Sequence, residues 1–176
     1  LVEVKVQSLG LDRPTNTPVV ILREAGGERL LPIWIGPGEA SAIAMYMADM
    51  HFPRPLTHDL LVSVLKGLGG RVQKVLITRV EKSTYFAEII VQRDGDVFSL
   101  DARPSDSIAV ALRVSARIFA DDSLLEHHEI EIDEDEPGLT TPTPARELEV
   151  SEIMGPEELK EHLRRLNPED FGRFTP

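Results

Sequence analysis

Tyr85-Phe86-Ala87-Glu88-Ile89-Ile90-Val91, Arg93-Asp94-Gly95-Asp96, Val97-Phe98-Ser99-Leu100 and Asp101-Ala102-Arg103-Pro104-Ser105-Asp106-Ser107-Ile108-Ala109 follow one another almost without interruption. The first block is rich in β-branched and aromatic residues and reads as a strand. Asp94-Gly95 is a hairpin signal, because glycine accepts the positive φ that a tight two-residue turn needs. Val97 to Leu100 is the return strand. At Arg103-Pro104 the apolar period changes from two to that of a helix over Ser105–Val114, with Ile108, Ala109, Ala111 and Leu112 on its inner face. An antiparallel hairpin that runs straight into a helix defines an α+β chain.

The same grammar extends outward. Downstream, Ile118-Phe119-Ala120 is a short strand and Leu124-Leu125 begins a short helix. Upstream, Val72, Val75, Ile77 and Val80 form a strand joined to Tyr85–Val91 through a turn at Lys82-Ser83. The N-terminus holds three further strands. Val2 to Val6 alternates apolar and polar, Val19 to Leu22 is apolar on both faces, and Leu30 to Ile35 carries a Pro32 that marks an edge or a strand end. Gly36-Pro37-Gly38 stops the third strand, and Glu39 to Met50 is helical, with small residues that allow close packing. A second helix is expected after Thr57 as N-cap, with Leu60, Leu61, Val64, Leu65 and Leu68 as its apolar stripe and Gly67, Gly69 and Gly70 at its end. The expected architecture is a mixed, largely antiparallel sheet packed by helices.

Charge divides the chain. Residues 1–120 carry 14 Lys/Arg against 13 Asp/Glu, while residues 121–176 carry 5 against 17. The acidity of the whole chain, −11, therefore belongs to the C-terminal third. Residues 133–150 read as an acidic and Pro/Thr-rich linker. Residues 151–166 read as an amphipathic helix with Ile153, Met154, Leu159, Leu163 and Leu166 apolar, too short to be stable without a surface to bind. With no cysteine, thiolate metal sites and cysteine nucleophiles are excluded. No apolar run reaches the ~20 residues of a membrane span, and no secretory signal is visible, so a cytoplasmic setting is the expectation. Gly36-Pro37-Gly38 lacks the Lys and Ser/Thr of a P-loop.

Two Arg-Pro turns gather ionisable groups at helix starts: Pro53-Arg54-Pro55-Leu56-Thr57-His58-Asp59, and Asp101 to Ser107. A helix N-terminus favours anions through its free N–H groups and its dipole. The same residues also serve as capping chemistry. Arg54 and Arg103 are the candidate phosphate ligands, since a guanidinium grips an anion with two parallel hydrogen bonds. Their alternative role is an Arg–Asp lock, such as Arg103 with Asp59 or Asp106. His58 is the candidate proton acceptor, with Asp59 beside it to orient the ring; its alternative is a backbone-bonded helix-start histidine. Glu39, Asp59, Asp101 and Asp106 are candidates either for acid–base work or for holding a hard cation such as Mg2+ or Mn2+. Asp106 and Glu39 also favour their helix dipoles, and Trp34 reads as core.

The run Leu31-Pro32-Ile33-Trp34-Ile35-Gly36, then Glu39-Ala40, then Pro53 to Leu60, then Asp101 to Ala109, closely resembles the bifunctional nuclease domain family over residues 1–132. Residues 151–176, with Pro168-Glu169-Asp170-Phe171, are similar to the tail of some bacterial members. The resemblance implies an α+β domain, a homo-oligomer with a dimer favoured, and hydrolysis of phosphodiester bonds in both DNA and RNA with little sequence preference. It carries no settled set of catalytic residues. The competing expectation is a non-catalytic oligomeric module, regulatory or scaffold, in which the Arg-Pro turns are architectural and the acidic C-terminal third meets a basic partner.

Overall fold

The structure, a computed structural model, describes residues 1–12 and 15–126. The acidic linker and the amphipathic helix expected over 133–166 lie outside the described residues. In chain order come strands β1 (Val2–Asp12), β2 (Thr17–Glu24) and β3 (Leu30–Trp34), helices α1 (Pro37–Met47) and α2 (Thr57–Gly67), strands β4 (Arg71–Glu81), β5 (Thr84–Arg93) and β6 (Asp96–Ala102), helix α3 (Pro104–Val114), strand β7 (Arg117–Ala120) and a 3-10 turn at Asp122–Leu124. The expected α+β class, with a mixed and mainly antiparallel sheet, is the observed one.

The seven strands form one sheet in the order β3-β2-β1-β7-β4-β5-β6. Two three-strand antiparallel meanders lie on either side of β7, which runs antiparallel to β1 and parallel to β4. Each meander runs directly into a helix whose first position is proline, Pro37 after β3 and Pro104 after β6. Proline suits that position because its fixed φ is helical and its missing N–H would be unpaired there anyway. The fold is thus two β-β-β-α units with α2 and β7 added. The two Arg-Pro turns hint at a repeat, but the true partner of Arg103-Pro104 is Gly36-Pro37. Arg54-Pro55 instead opens the extra helix, α2.

One face of the sheet carries the core. Val4, Val20, Leu22, Ile33, Val75, Ile77, Ile89 and Ile118 project from it against Ile43 of α1 and Ile108 of α3. Ala40, Ala42 and Ala44 of α1 and Ala109 and Ala111 of α3 are all buried, so the two helices approach closely. Among the described residues the opposite face holds a small buried cluster, Val19, Ile21 and Leu30. Trp34 belongs to that opposite face, 39% exposed, rather than to the core.

α2 departs from its expected packing. Only His58 and Val62, one turn apart, are buried, whereas Leu60, Leu61, Val64 and Leu68 are exposed. The apolar stripe expected to face inward is thus mostly turned to solvent, and the helix packs along the edge that carries His58 and Val62. Its rotation is set by polar anchors at its first turn. The N-cap is Leu56, not Thr57, and the Leu56 N–H donates to Oδ2 of Asp59 at 2.8 Å. Among the described residues no helix is long and apolar enough to cross a membrane.

Candidate active site at three helix N-termini

All three helices carry an acid at their third position: Glu39 in α1, Asp59 in α2 and Asp106 in α3. Near a helix N-terminus a carboxylate is favoured by the dipole. Here the three helices also bring these acids into one neighbourhood with two arginines and a histidine.

Arg103, the residue before Pro104, forms the bridge. Its Nε donates to Oδ2 of Asp106 at 2.8 Å and its Nη2 to Oε1 of Glu39 at 2.7 Å. This links equivalent positions of the two β-β-β-α units. Arg103 is 66% exposed, whereas Glu39 and Asp106 are only 20% and 28% exposed. A half-buried carboxylate pair therefore holds a guanidinium at the surface. The second oxygen of Asp106 meets Nε2 of His58 at 3.0 Å, and the imidazole is almost completely buried. Burial works to raise the Asp106 pKa, but hydrogen bonds from Arg103 and His58 outweigh it and hold the group below the ordinary carboxylate value. For Arg103, the hydrogen bond with Asp106 is the largest influence and reinforces its positive charge.

Gly36 contributes space. A Cβ at this position would lie 2.4 Å from Oε2 of Glu39, so the glycine leaves room for that carboxylate to fold back over the helix start. A residue with any side chain here would displace Glu39 from Arg103.

Asp59 has a different role. Its Oδ1 accepts from Nε of Arg113 at 2.5 Å. Arg113 is a buried arginine near the end of α3 that also donates to the carbonyls of Ala109 and Ala42 and lies against the Tyr46 ring. This group ties α1, α2 and α3 together. Burial acts to raise the Asp59 pKa, and the hydrogen bonds from Arg113 and the Leu56 N–H overcome it, so its pKa is lowered. Nothing in the sequence around Arg113 marks it as a site residue. It stands among apolar helix residues, and only the helix crossing reveals its function.

The structure thus joins His58, Asp106, Arg103 and Glu39 in a continuous chain and sets Asp59 beside it as a structural anchor. Asp101 is not part of it. It is exposed on β6 opposite Glu88 of β5, and Glu88 alternates with the buried Ala87 and Ile89. Its side chain therefore faces the helix-free side of the sheet. Arg54 is exposed in the turn before α2 and makes none of the cluster's ion pairs. Of the Arg–Asp pairs expected to lock the two turns, Arg103–Asp106 forms but lies within the second turn, and Asp59 pairs with Arg113 instead; the two turns are joined by His58 and Asp106.

As to a metal, among the described residues no group of three or more His, Asp or Glu is placed to hold an ion. Glu39 and Asp106 both spend an oxygen on Arg103, so the guanidinium occupies the position of a shared cation. The donor set does not fit Mg2+ or Mn2+ as arranged.

Residues 20–133 match the model of the bifunctional nuclease domain. The chain belongs to that family. It is 40% identical over 169 residues to an uncharacterized protein of Mycobacterium tuberculosis, covering 96% of this chain and 97% of that protein. It is 30% identical over 122 residues to Bifunctional nuclease 2 of Oryza sativa subsp. japonica, covering 67% of this chain and 38% of the rice protein. To Bifunctional nuclease 2 of Arabidopsis thaliana it is 28% identical over 106 residues, 58% of this chain and 32% of that protein. The chain therefore spans less than two fifths of the length of these two plant relatives.

Proposed function

We propose that the chain is a nuclease that hydrolyses phosphodiester bonds of DNA and RNA with little sequence preference. The observation that carries this reading is the His58–Asp106–Arg103–Glu39 chain, which leads from a buried imidazole to an exposed guanidinium, in a domain whose plant relatives are named bifunctional nucleases. Arg103 spends one N–H on each carboxylate and keeps the rest of its fork for a phosphate. Charge building on the phosphoryl oxygens is stabilised there. If Nε2–H of His58 donates to Asp106, Nδ1 is the free base. It removes a proton from water as the water oxygen bonds to phosphorus, and returns it to the departing oxygen as the P–O bond breaks. Asp106 stabilises the imidazolium in between, as a carboxylate does for a catalytic histidine. Because DNA lacks a 2′-hydroxyl, a site that cuts both polymers must use water. Contacts to phosphate alone make it indifferent to base identity.

The test is a time course on labelled single strands of DNA and RNA of the same sequence, with the purified protein beside His58→Ala. Cleavage of both by the wild type, and of neither by the variant, is the expected result. Equal cleavage by the two would reject the assignment.

A homo-oligomer, with a dimer favoured, is part of the same reading. It is supported by the exposed row of Leu60 and Val64 on α2 and Leu68 at its C-cap, an apolar surface of the kind that proteins bury against a partner. A cytoplasmic setting completes the reading.

A further inference from the structure

The sheet face turned away from the helices carries a feature the cluster does not use. Lys5 and Arg23 stand directly opposite one another on β1 and β2. Lys74 and Arg117 do so on β4 and β7. The β1–β7 register, with Val4 opposite Ile118, brings Lys5 next to Arg117 and so joins the two pairs into one row across four adjacent strands. All four project from the helix-free face, since their neighbours Val4, Leu22, Val75 and Ile118 are buried on the other. Like charges directly across a ladder destabilise a sheet. Two such pairs in line, in a chain of net charge −11, call for a counter-charge.

The surroundings indicate its chemistry. Lys74 and Arg117 lie over the half-buried Phe119 ring, at 5.7 and 5.9 Å from its centre. At the other end, Lys5 and Arg23 border a hollow of about 500 Å3 closed by the turn at Gly26 and Gly27. With strands about 4.8 Å apart, the row is roughly 14 Å long. The acids nearest the row are Glu3, 3.9 Å from Arg117, and Glu24 and Glu28, which line the hollow beside Lys5 and Arg23; Glu88 and Asp101 are on the β5 and β6 side of this face, and Asp12 is at its Trp34 end. None of them stands between members of the row. A line of cations with an aromatic beside it is the pattern that binds the backbone of a single strand while a base stacks alongside.

We infer that the row Lys5, Arg23, Lys74 and Arg117, with Phe119, is a binding track for the sugar–phosphate backbone of single-stranded nucleic acid. The inference rests on the nuclease reading and deepens it. The track holds the strand on one face of the sheet while cleavage belongs to the cluster on the other.

The experiment is fluorescence anisotropy of a labelled oligothymidylate of about 20 nucleotides with the full chain, at several salt concentrations. A variant with all four row cations changed to Gln should bind weakly. Its slope of log affinity against log salt should be shallower by about 3, at ~0.7 per phosphate contact on a single strand. Lys66→Gln, a cation on α2 away from the row, should bind like the wild type. The double variants K5Q/R23Q and K74Q/R117Q should each give about half the slope change, which keeps the test available if the fourfold variant folds poorly. Bis(p-nitrophenyl) phosphate is too small to span the track, and its hydrolysis reads the cluster alone. If the protein binds the strand through the row but does not hydrolyse this ester, the track stands and the nuclease reading falls. If it hydrolyses the ester and the Gln variants bind the strand as the wild type does, the track is overturned. A chain that fails to bind the strand at low salt also overturns it, and leaves its own acidic run 129–136 as the row's counter-charge.

Discussion

Replacing Arg103 by Ala separates what this residue does for the fold from what it does for phosphate. Its two ion pairs, at 2.7 and 2.8 Å, are made by a side chain 66% exposed. Exposed pairs contribute little, so their joint loss should cost only ~1 kcal/mol even after Glu39 and Asp106 lose their shared counter-ion. For a domain of this size that lowers the melting temperature by roughly 2–5 °C. The catalytic loss is larger. Removing one preorganised donor from a charge-stabilising site typically costs ~3 kcal/mol, or about 10² to 10³ in rate. Arg103→Lys keeps the charge but cannot bridge both carboxylates from one planar fork, and should fall between. The assay is initial-rate cleavage of a quenched fluorescent strand beside a thermal melt. An Arg103→Ala protein that cuts within about threefold of wild type would refute the phosphate-binding role, because the expected loss is at least about a hundredfold. A collapse in melting temperature would show instead that Arg103 is mainly a structural lock.

Gly36→Ala should leave the melting temperature nearly unchanged, because Glu39 can swing away, yet lower cleavage by loosening Arg103; a crystal structure of the variant would show the broken bridge. Asp59→Asn should act the other way, destabilising the fold by about 2 kcal/mol in urea unfolding, since Arg113 remains buried without its charged partner. Asp59 and Asp106 have lowered folded pKa values, so the stability they supply is present above the unfolded carboxylate value of ~3.9 and lost as pH falls through the folded values. The midpoint in urea should thus be flat through neutrality and drop in the acid range below about pH 4, less steeply for Asp59→Asn. Cleavage should survive chelation of divalent ions by EDTA, because Arg103 fills the position a cation would take between Glu39 and Asp106.

Local patterns made the architecture legible. The Asp94-Gly95 hairpin, the period-two strands and the helix starts after Pro37 and Pro104 all lie where the chain shows them. Less legible was which face each element presents. The apolar stripe of α2 pointed to Leu60, Leu61, Val64, Leu65 and Leu68 as its inner face, but polar anchors at the first turn rotate the helix so that His58 and Val62 point inward and Leu60, Leu61, Val64 and Leu68 point out. Likewise Asp101 and Asp106 are five residues apart and look equivalent in sequence. Strand alternation turns Asp101 to the far side of the sheet, whereas helix geometry turns Asp106 to His58. Arg113 is the one basic residue of α3, and its bond to Asp59 exists only because α2 and α3 cross. The sequence brings the right ingredients to the cluster, and tertiary packing selects among them.

The difference between those two aspartates is the most direct test of the site. Purified Asp106→Asn and Asp101→Asn proteins should be compared for cleavage of the same labelled strand. Loss of cleavage in Asp106→Asn, with near wild-type rates in Asp101→Asn, is the predicted result. Full activity in Asp106→Asn, or equal losses in both, would contradict a site built on Arg103, Asp106 and His58.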